Sequence, residues 1–308
     1  MKFKKPKFWD YKKPNIYAYL LYPIAIIINK LLKIRIRKKY KKFKIKTICI
    51  GNFYLGGTGK TSLAIEINKI LKKRGIKSCF IKKFYEDQRD EQKLLEMNGK
   101  LFLSSKRDKA IKKAEIENYE IAIIDDGLQD ETINYDIKFV CFNNINWIGN
   151  GMTIPAGPLR EELRNLKNYK DIFLNGNQEN LDEIKKDVKN ISSEIKIHIG
   201  EYCPVNLRDF NLDNKFLVFS GIGNHKTFIS MLNKYKFNIL KDFEFPDHYN
   251  YSDRDINKII EEAKNLGCDI ITTEKDYVRI NNLKSKRIKY IKSELNIINE
   301  EKLIKSIF

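Results

Sequence analysis

The 308-residue sequence has few of the residues that build metal-stabilised or disulfide-stabilised folds. It contains three histidines and five cysteines, and no two cysteines form a CxxC pair. This spacing indicates neither a disulfide framework nor a zinc site, and it is typical of small buried side chains in a reducing compartment. The five cysteines are Cys49, Cys79, Cys141, Cys203 and Cys268.

The sequence also lacks an apolar run that crosses a bilayer comfortably. Residues 14–29 carry no charge, but they are fewer than the ~20 that a spanning helix needs, and Pro23 interrupts them. No small-residue cleavage site follows, which argues against a secretory signal. Lys12 and Lys13 precede the run, and nine of residues 33–46 are Lys or Arg. This pattern predicts a helix in the membrane interface, with a buried N-terminal core helix as the alternative.

Acidic residues are scarce relative to basic ones, with 40 Asp and Glu against 59 Lys and Arg, which gives a net charge of +19. A basic surface of this kind needs an anionic partner, such as nucleic acid, acidic lipid or a phosphorylated substrate. The alternative is an ordinary solvated basic surface that has no partner. Because the basic run adjoins the apolar segment, we favour a lipid surface.

From residue 47 onward, short apolar runs alternate with helical periodicity, which predicts a parallel sheet covered on both faces. The fold class is α/β, with a P-loop NTPase-like parallel sheet covered by helices, a second smaller α/β domain and an N-terminal apolar helix. We predict three regions. They are a membrane-associating segment at 1–46, a P-loop kinase core at 47–205 and a smaller α/β domain at 215–308.

The strongest motif is GGTGKT at residues 56–61, between a predicted strand and a predicted helix. Glycines let backbone N–H groups point at phosphate oxygens, and the helix N-terminus adds partial positive charge. Lys60 is expected to reach the β- and γ-phosphates of ATP, and the Thr61 hydroxyl to bind Mg²⁺. Tyr54 stands where the strict pattern GxxxxGK[ST] has its first glycine. The predicted nucleotide-binding stretch is Tyr54, Leu55, Gly56, Gly57, Thr58, Gly59, Lys60 and Thr61.

Two carboxylates, Asp125 and Asp126, directly follow the buried run at 121–124. At a strand end beside a phosphate loop, they are predicted to take part in the Mg²⁺ site, with an ordinary strand-end turn as the alternative. The guanine-reading pattern NKxD is not matched, since Lys275 and Asp276 are adjacent. The residues alone leave two candidates for handling an acceptor proton, Asp90 and His248, either of which can equally be a solvated or structural group.

Taken together, the motifs resemble the tetraacyldisaccharide 4′-kinases, also called lipid A 4′-kinases. The matching segments occur in order over almost the whole chain. They are GN at 51–52, GGTGKT at 56–61, DE at 90–91, Arg107, DDGLQ at 125–129, GNG at 149–151, PAGPLRE at 155–161, GIGN at 221–224, FPDH at 245–248 and TEKD at 273–276.

The resemblance implies transfer of the γ-phosphate of ATP to the 4′-hydroxyl of a tetraacylated glucosamine disaccharide 1-phosphate, at the cytoplasmic face of the inner membrane. It implies that Asp90 is the catalytic carboxylate and that His248 pairs with it across a cleft between domains. Closure of such a cleft would exclude water. The metal set becomes Thr61, Asp125, Asp126 and Glu91. The positions implied for the substrate are Asn52, Arg107, Gln129, Arg160 and Glu161.

Two segments depart from the family pattern. Family members usually carry SRGYG after the second strand, whereas this chain has KKFYE at 82–86, followed by a short connection to Asp90. Asp130 stands where the family has histidine. Both departures affect the acceptor side of the predicted site. The first departure motivates a third hypothesis for the function, a degenerate kinase with a scaffold role. A basic P-loop ATPase or binding module acting on nucleic acid is the main alternative, although no nucleic-acid partner is expected from the motifs.

Overall fold

The chain is α/β throughout the residues that the computed structural model describes, which are 5–34, 40–176, 179–247, 249–280 and 287–308. The strands are β1 (Lys46–Asn52), β2 (Ser78–Lys83), β3 (Leu101–Ser104), β4 (Ile121–Asp125), β5 (Ile137–Asn143), β6 (Asp171–Asn175), β7 (Lys196–Pro204), β8 (Lys215–Ser220), β9 (Asn238–Glu244), β10 (Asp269–Thr273), β11 (Ile288–Ile291) and β12 (Ser293–Ile298). The helices are α1 (Ile16–Ile34), α2 (Lys60–Lys73), α3 (Arg89–Asn98), α4 (Arg107–Ile116), α5 (Leu181–Ile191), α6 (His225–Lys234), α7 (Asp253–Leu266), α8 (Glu274–Arg279) and α9 (Glu300–Ile307).

The larger sheet has eight strands in the order β12-β7-β6-β5-β1-β4-β2-β3. The seven strands from β7 to β3 are paired in parallel. Strand β1 lies between β4 and β5, so the chain winds outward in both directions from it. Ligands of open parallel sheets bind at the carboxyl ends of the strands, where the winding direction changes. The predicted phosphate turn follows β1 and therefore lies at that place.

The smaller sheet has four parallel strands in the order β11-β10-β8-β9. Alternate residues of β8 face opposite sides, because successive side chains of a strand point to opposite faces. Phe216 and Val218 belong to one buried cluster, whereas Leu217 and Phe219 belong to another. The apolar run at 215–219 is thus explained by helices packing on both faces.

The chain forms two compact units. The first contains the chain up to Asn175 together with Asn180–Gly200 and Ile297–Phe308, and the second is formed mainly by Glu201–Asn296. This differs from the predicted ranges in two respects. Residues 1–46 group with the first unit, and so do the last twelve residues, most of which form α9. Sequence periodicity does not show which sheet a terminal strand will join.

Helix α1 has an unusual distribution of exposed and buried side chains. Ala18 and Ala25 are fully buried, and Asn29 donates a hydrogen bond to the Thr153 hydroxyl at 2.8 Å. The helix therefore packs on the first unit with small side chains. Its large side chains face outward, and ten of them between residues 16 and 31 are exposed: Ile16, Tyr17, Tyr19, Leu20, Tyr22, Ile24, Ile26, Ile27, Ile28 and Leu31.

No helix in the described part of the chain is both long enough and apolar enough to cross a membrane. Of the basic run at 33–46, residues 35–39 lie outside the described residues. Lys41 forms an ion pair with Asp108 of α4.

Candidate functional site

The phosphate turn is shaped by its glycines and fixed from a neighbouring strand. Gly56 and Gly59 have φ values of 142° and 75°, a region that residues with a side chain rarely adopt. Gly59 directly precedes α2, so the turn leads into a helix N-terminus. The Asn175 side chain, at the end of β6, donates a hydrogen bond to the Thr58 carbonyl at 2.5 Å. Asn175 cannot be identified from the sequence, because nothing local in the sequence places β6 beside the turn.

Thr61 and Asp125 meet as the motifs predict. The Thr61 hydroxyl donates to Asp125 Oδ2 at 3.1 Å, and Asp125 is 1% exposed. The second oxygen, Oδ1, is buried and finds no hydrogen-bond partner among the described residues. A buried carboxylate oxygen without a donor is costly, and a cation beside it would satisfy it.

The donor set fits Mg²⁺ bound together with phosphate. The described residues contain no cluster of three or more His, Cys, Asp or Glu that could hold a metal ion. Mg²⁺ in nucleotide sites is held by one or two protein groups, with phosphate oxygens and water completing its shell. Thr61 and Asp125 supply what such a site takes from protein.

Asp126 is surrounded by cations. Its Oδ1 lies 3.9 Å from the Lys60 ammonium and 3.1 Å from Arg160 Nη1. Burial on its own would raise the pKa of Asp126, but the charges of Lys60 and Arg160 outweigh burial and hold the pKa below its usual value. The carboxylate is therefore ionised at neutral pH, and it holds both cations at the mouth of the phosphate turn.

Arg107 is tied to the loop after β4. It donates to the Asp126 carbonyl at 2.5 Å and to the Asp130 carboxylate at 3.3 Å. Its Nε is buried and has no hydrogen-bond partner within the part of the chain that the structure describes. Asp130, one of the two departures from the family pattern, thus provides a charge partner for Arg107.

The remaining predicted substrate residues form one hydrogen-bonded group. Gln129 donates to the Asn52 carbonyl at 3.1 Å and to Glu161 at 3.4 Å, and it accepts from Arg160 at 3.0 Å. Burial raises the pKa of Glu161, and the hydrogen bond from Gln129 offsets this only in part. The structure therefore brings together Asn52, Gln129, Arg160 and Glu161, from three separate segments of the chain.

Lys82 joins the carboxylates of two different elements. Its ammonium lies 2.6 Å from Asp125 Oδ2 and 2.7 Å from Glu91 Oε2, and the side chain is 2% exposed. Glu91 and the half-buried Asp90 lie in the first turn of α3. Asp90, the predicted catalytic carboxylate, is thus next in sequence to Glu91, which Lys82 links to Asp125. His248 lies outside the described residues, so its pairing with Asp90 stays a prediction.

Tyr54 contacts the N-terminal segment instead of standing open at the turn. It is 3% exposed, its hydroxyl donates to Asp10, and Lys5 donates to that hydroxyl at 2.9 Å. Burial and the Asp10 charge raise the Tyr54 pKa. The Leu55 amide donates to the Pro158 carbonyl at 2.8 Å. Tyr54, which breaks the strict P-loop pattern, is therefore one of the residues that attach the N-terminal segment.

In the second unit, Asp276 accepts hydrogen bonds from three side chains. Its Oδ1 accepts hydrogen bonds from Tyr251 and Arg279, each at 3.0 Å, and its Oδ2 accepts from Thr273 at 2.6 Å. Arg279 also donates to the Gly221 carbonyl at 2.9 Å. A Cβ atom at Gly221 would lie 3.1 Å from the Pro246 carbonyl oxygen. Gly221 therefore lies against Pro246 and is linked through Arg279 to Asp276.

Comparison with known proteins places the chain in a family. A family model described as Tetraacyldisaccharide-1-P 4'-kinase (LpxK) matches residues 17–308. The tetraacyldisaccharide 4'-kinase of Pelagibacter ubique is 56% identical over 303 residues, which cover 98% of this chain and 96% of that protein. The tetraacyldisaccharide 4'-kinase of Rickettsia typhi is 32% identical over 323 residues, with 98% and 97% covered.

A crystal structure of LpxK from Aquifex aeolicus in complex with ATP shares the fold. Its TM-score is 0.68 at 22% identity, and the match covers 95% of this chain and 98% of that chain. The predicted P-loop-type α/β class is confirmed by this likeness and by the parallel sheet. Since one family model matches residues 17–308 and a relative is 56% identical over nearly the full length, this chain belongs to the tetraacyldisaccharide 4′-kinase family.

Proposed function

We propose that this chain transfers the γ-phosphate of ATP to the 4′-hydroxyl of a tetraacyldisaccharide 1-phosphate, a lipid A precursor. The observation that carries the proposal is the convergence of the family motifs at one edge of the larger sheet. The phosphate turn, the hydrogen bond from Thr61 to Asp125 and the cations around Asp126 all lie there.

The donor half of the reaction is assigned to the turn and its cations. The backbone N–H groups of residues 56–60 and the Lys60 ammonium bind the phosphates, and Arg160 stabilises the negative charge that develops on the transferred group. Thr61 and Asp125 would hold Mg²⁺, which neutralises charge on the phosphate oxygens when it is bound. The unpartnered Oδ1 of Asp125 supports this assignment.

The acceptor half is assigned to Asp90. The 4′-hydroxyl loses its proton as its oxygen attacks phosphorus, and a positioned carboxylate can accept that proton. Asp90 lies in the first turn of α3, one residue from Glu91, whose carboxylate is linked through Lys82 to Asp125. His248 is proposed as the partner of Asp90 on the basis of the family resemblance alone.

The substrate is acylated, so the enzyme must work at a membrane surface. The outward-facing apolar side chains of α1 provide a surface that can enter the headgroup region without crossing the bilayer. We propose that α1 lies in the membrane interface. The lysines that precede and follow it in the sequence contribute ~1 kcal/mol each to the binding free energy next to anionic lipid. Exposed apolar area of this extent marks an interaction site.

The test is a phosphoryl-transfer assay in detergent micelles with ATP, Mg²⁺ and the acylated disaccharide 1-phosphate, read by mass spectrometry. The wild-type chain is expected to add one phosphate to the acceptor, and Asp90→Asn to lower kcat by at least about a hundredfold. Glu96→Gln, which changes an exposed carboxylate on the same helix, is the matched control and should retain wild-type kcat.

The outcomes separate the competing functions. Polynucleotide-stimulated ATP hydrolysis without transfer to the disaccharide would support the nucleic-acid alternative and contradict the kinase. Failure of the wild-type chain to transfer phosphate or to hydrolyse ATP would support the scaffold reading. Equal kcat values for Asp90→Asn and Glu96→Gln would remove Asp90 from the mechanism.

A further inference from the structure

Lys82 occupies a position where a lysine is costly. It lies at the carboxyl end of β2, in register with Asp125 on the neighbouring strand β4. Its side chain is 2% exposed, and lysine is rarely buried to this extent without charged partners. The Asp125 and Glu91 carboxylates are those partners, at 2.6 Å and 2.7 Å from the Lys82 nitrogen.

The two partners of Lys82 belong to different halves of the site. Asp125 Oδ2 accepts from both Lys82, at 2.6 Å, and the Thr61 hydroxyl, at 3.1 Å. Glu91 lies in the first turn of α3 and contacts the same ammonium at 2.7 Å. One cation therefore connects the donor side of the site to the helix that carries Asp90.

The two carboxylates would behave differently without the ammonium. Asp125 and Glu91 both lie within 2.7 Å of one nitrogen, so removing its charge leaves two anions facing each other in a partly buried place. Two carboxylates in such an arrangement move apart, share a proton or bind a divalent cation between them. The ammonium prevents all three.

We propose that Lys82 is a positioning residue for the proposed phosphoryl transfer, acting as an internal cation that keeps Asp125 directed at the magnesium position and α3 close to the phosphate turn. None of the family motifs includes this role, because Lys82 is a residue that departs from the family pattern. It also accounts for the departure, since the charge of Lys82 is used by two site carboxylates.

The test measures Mn²⁺ binding to the nucleotide-free full-length chain, from the electron paramagnetic resonance signal of free Mn²⁺. Lys82→Met removes the charge and keeps most of the volume, so we expect Mn²⁺ to bind at least about tenfold more tightly than to the wild-type chain. In the transfer assay the same variant should lose at least about tenfold in kcat, with less than about a threefold change in KM for ATP, because α3 is displaced.

Further variants separate positioning from general stability. In the double variant Lys82→Met/Glu91→Gln, the second carboxylate is gone, so Mn²⁺ affinity should return to the wild-type value while kcat stays low. Lys93→Met on the exposed side of α3 is the matched control and should change neither quantity. If Lys82→Met does not fold, Glu91→Gln alone tests the same link and should lower kcat without tightening Mn²⁺ binding.

Two results would overturn the proposal: Mn²⁺ affinity of Lys82→Met equal to that of Lys93→Met, or wild-type kcat in Glu91→Gln. The Mn²⁺ measurement contains no acceptor lipid. Failure of the wild-type chain to phosphorylate the disaccharide would therefore contradict the proposed function, and the Mn²⁺ result would still decide on Lys82.

Discussion

In the second unit, the buried charge of Asp276 is surrounded by partners. Asp276 is completely buried, yet Tyr251, Thr273 and Arg279 all donate to its oxygens. Removing one member of such a group leaves the others buried without a partner, and this costs more than the group contributes in net stability. The motif TEKD at 273–276 is thus explained by packing within the second unit.

We expect Asp276→Asn to destabilise the second unit by about 3 kcal/mol, because Arg279 loses its buried counter-charge. The melting temperature should fall by at least about 6 °C in differential scanning calorimetry. Asp213→Asn, at an exposed position of the same unit, is the control and should melt like the wild-type chain. A melting temperature unchanged by Asp276→Asn would show that the hydrogen bonds around Asp276 do not stabilise this unit.

At the scale of elements, the N-terminal segment is attached to the site through specific contacts. Trp9 is 1% exposed, and its indole donates to the Pro155 carbonyl at 3.1 Å. A Cβ atom at Gly149 would lie 2.1 Å from the Trp9 carbonyl oxygen, so only glycine fits there. Together with the contact between Asp10 and Tyr54, this places the segment that precedes α1 against the loops that border the phosphate turn.

The outward face of α1 predicts membrane binding that depends on its large side chains. Leu20→Ser/Ile27→Ser should weaken binding to anionic phospholipid vesicles by at least about tenfold in a sedimentation assay, because apolar area is lost from the face that enters the lipid. Ala18 and Ala25 are unchanged, so the helix should still pack on the first unit.

The matched control is Ile116→Ser/Val278→Ser, which removes two side chains from other helices that are at least as exposed. It should bind vesicles like the wild-type chain. Equal binding by all three proteins would exclude α1 as the docking surface. Binding to anionic vesicles but not to neutral vesicles would show that the lysines contribute more of the membrane affinity than the apolar side chains of α1 do.

At the scale of the whole molecule, the chain has separate buried cores in its two units. The thiols of Cys49, Cys79 and Cys141 are buried in strands of the larger sheet, and Cys268 is half-buried in the second unit. Burial raises the pKa of the Cys79 thiol to about 12 and also raises the pKa values of Cys49 and Cys141. These three thiols therefore react only when the first unit opens.

We expect ATP with Mg²⁺ to slow the labelling of Cys49, Cys79 and Cys141 by a thiol reagent at pH 8, and to leave Cys268 unchanged. At a nucleotide concentration of about 100 times Kd, binding stabilises the unit that holds it by ~2.7 kcal/mol, which corresponds to about a hundredfold slower labelling. Mass spectrometry of peptides gives each rate separately. Equal slowing at Cys268 would show that the two units open together.

Several features could be read from the sequence because their cause is local. Strand β1 with its glycine turn and α2 follows from an apolar run, from conformations that favour glycine and from helical periodicity. The strand end at Asp125 follows from the buried run at 121–124 for the same reason. The family resemblance supplied Asp90 and His248, which residue chemistry alone did not distinguish from solvated or structural groups.

Other features depend on which strands become neighbours. The place of β12 beside β7, the hydrogen bond from Asn175 to the phosphate turn and the contact of Tyr54 with Asp10 join residues far apart in the chain. Lys82 looked like a departure from a motif, and only its register with Asp125 shows that it is paired.

The sequence by itself determined the α/β class, the phosphate turn and the family, since these depend on local conformation and on motif order. The tertiary structure alone decided how the charges pair. Burial makes an unpaired charge costly, so Lys82, Arg107 and Asp126 each have partners that the fold supplies from other elements.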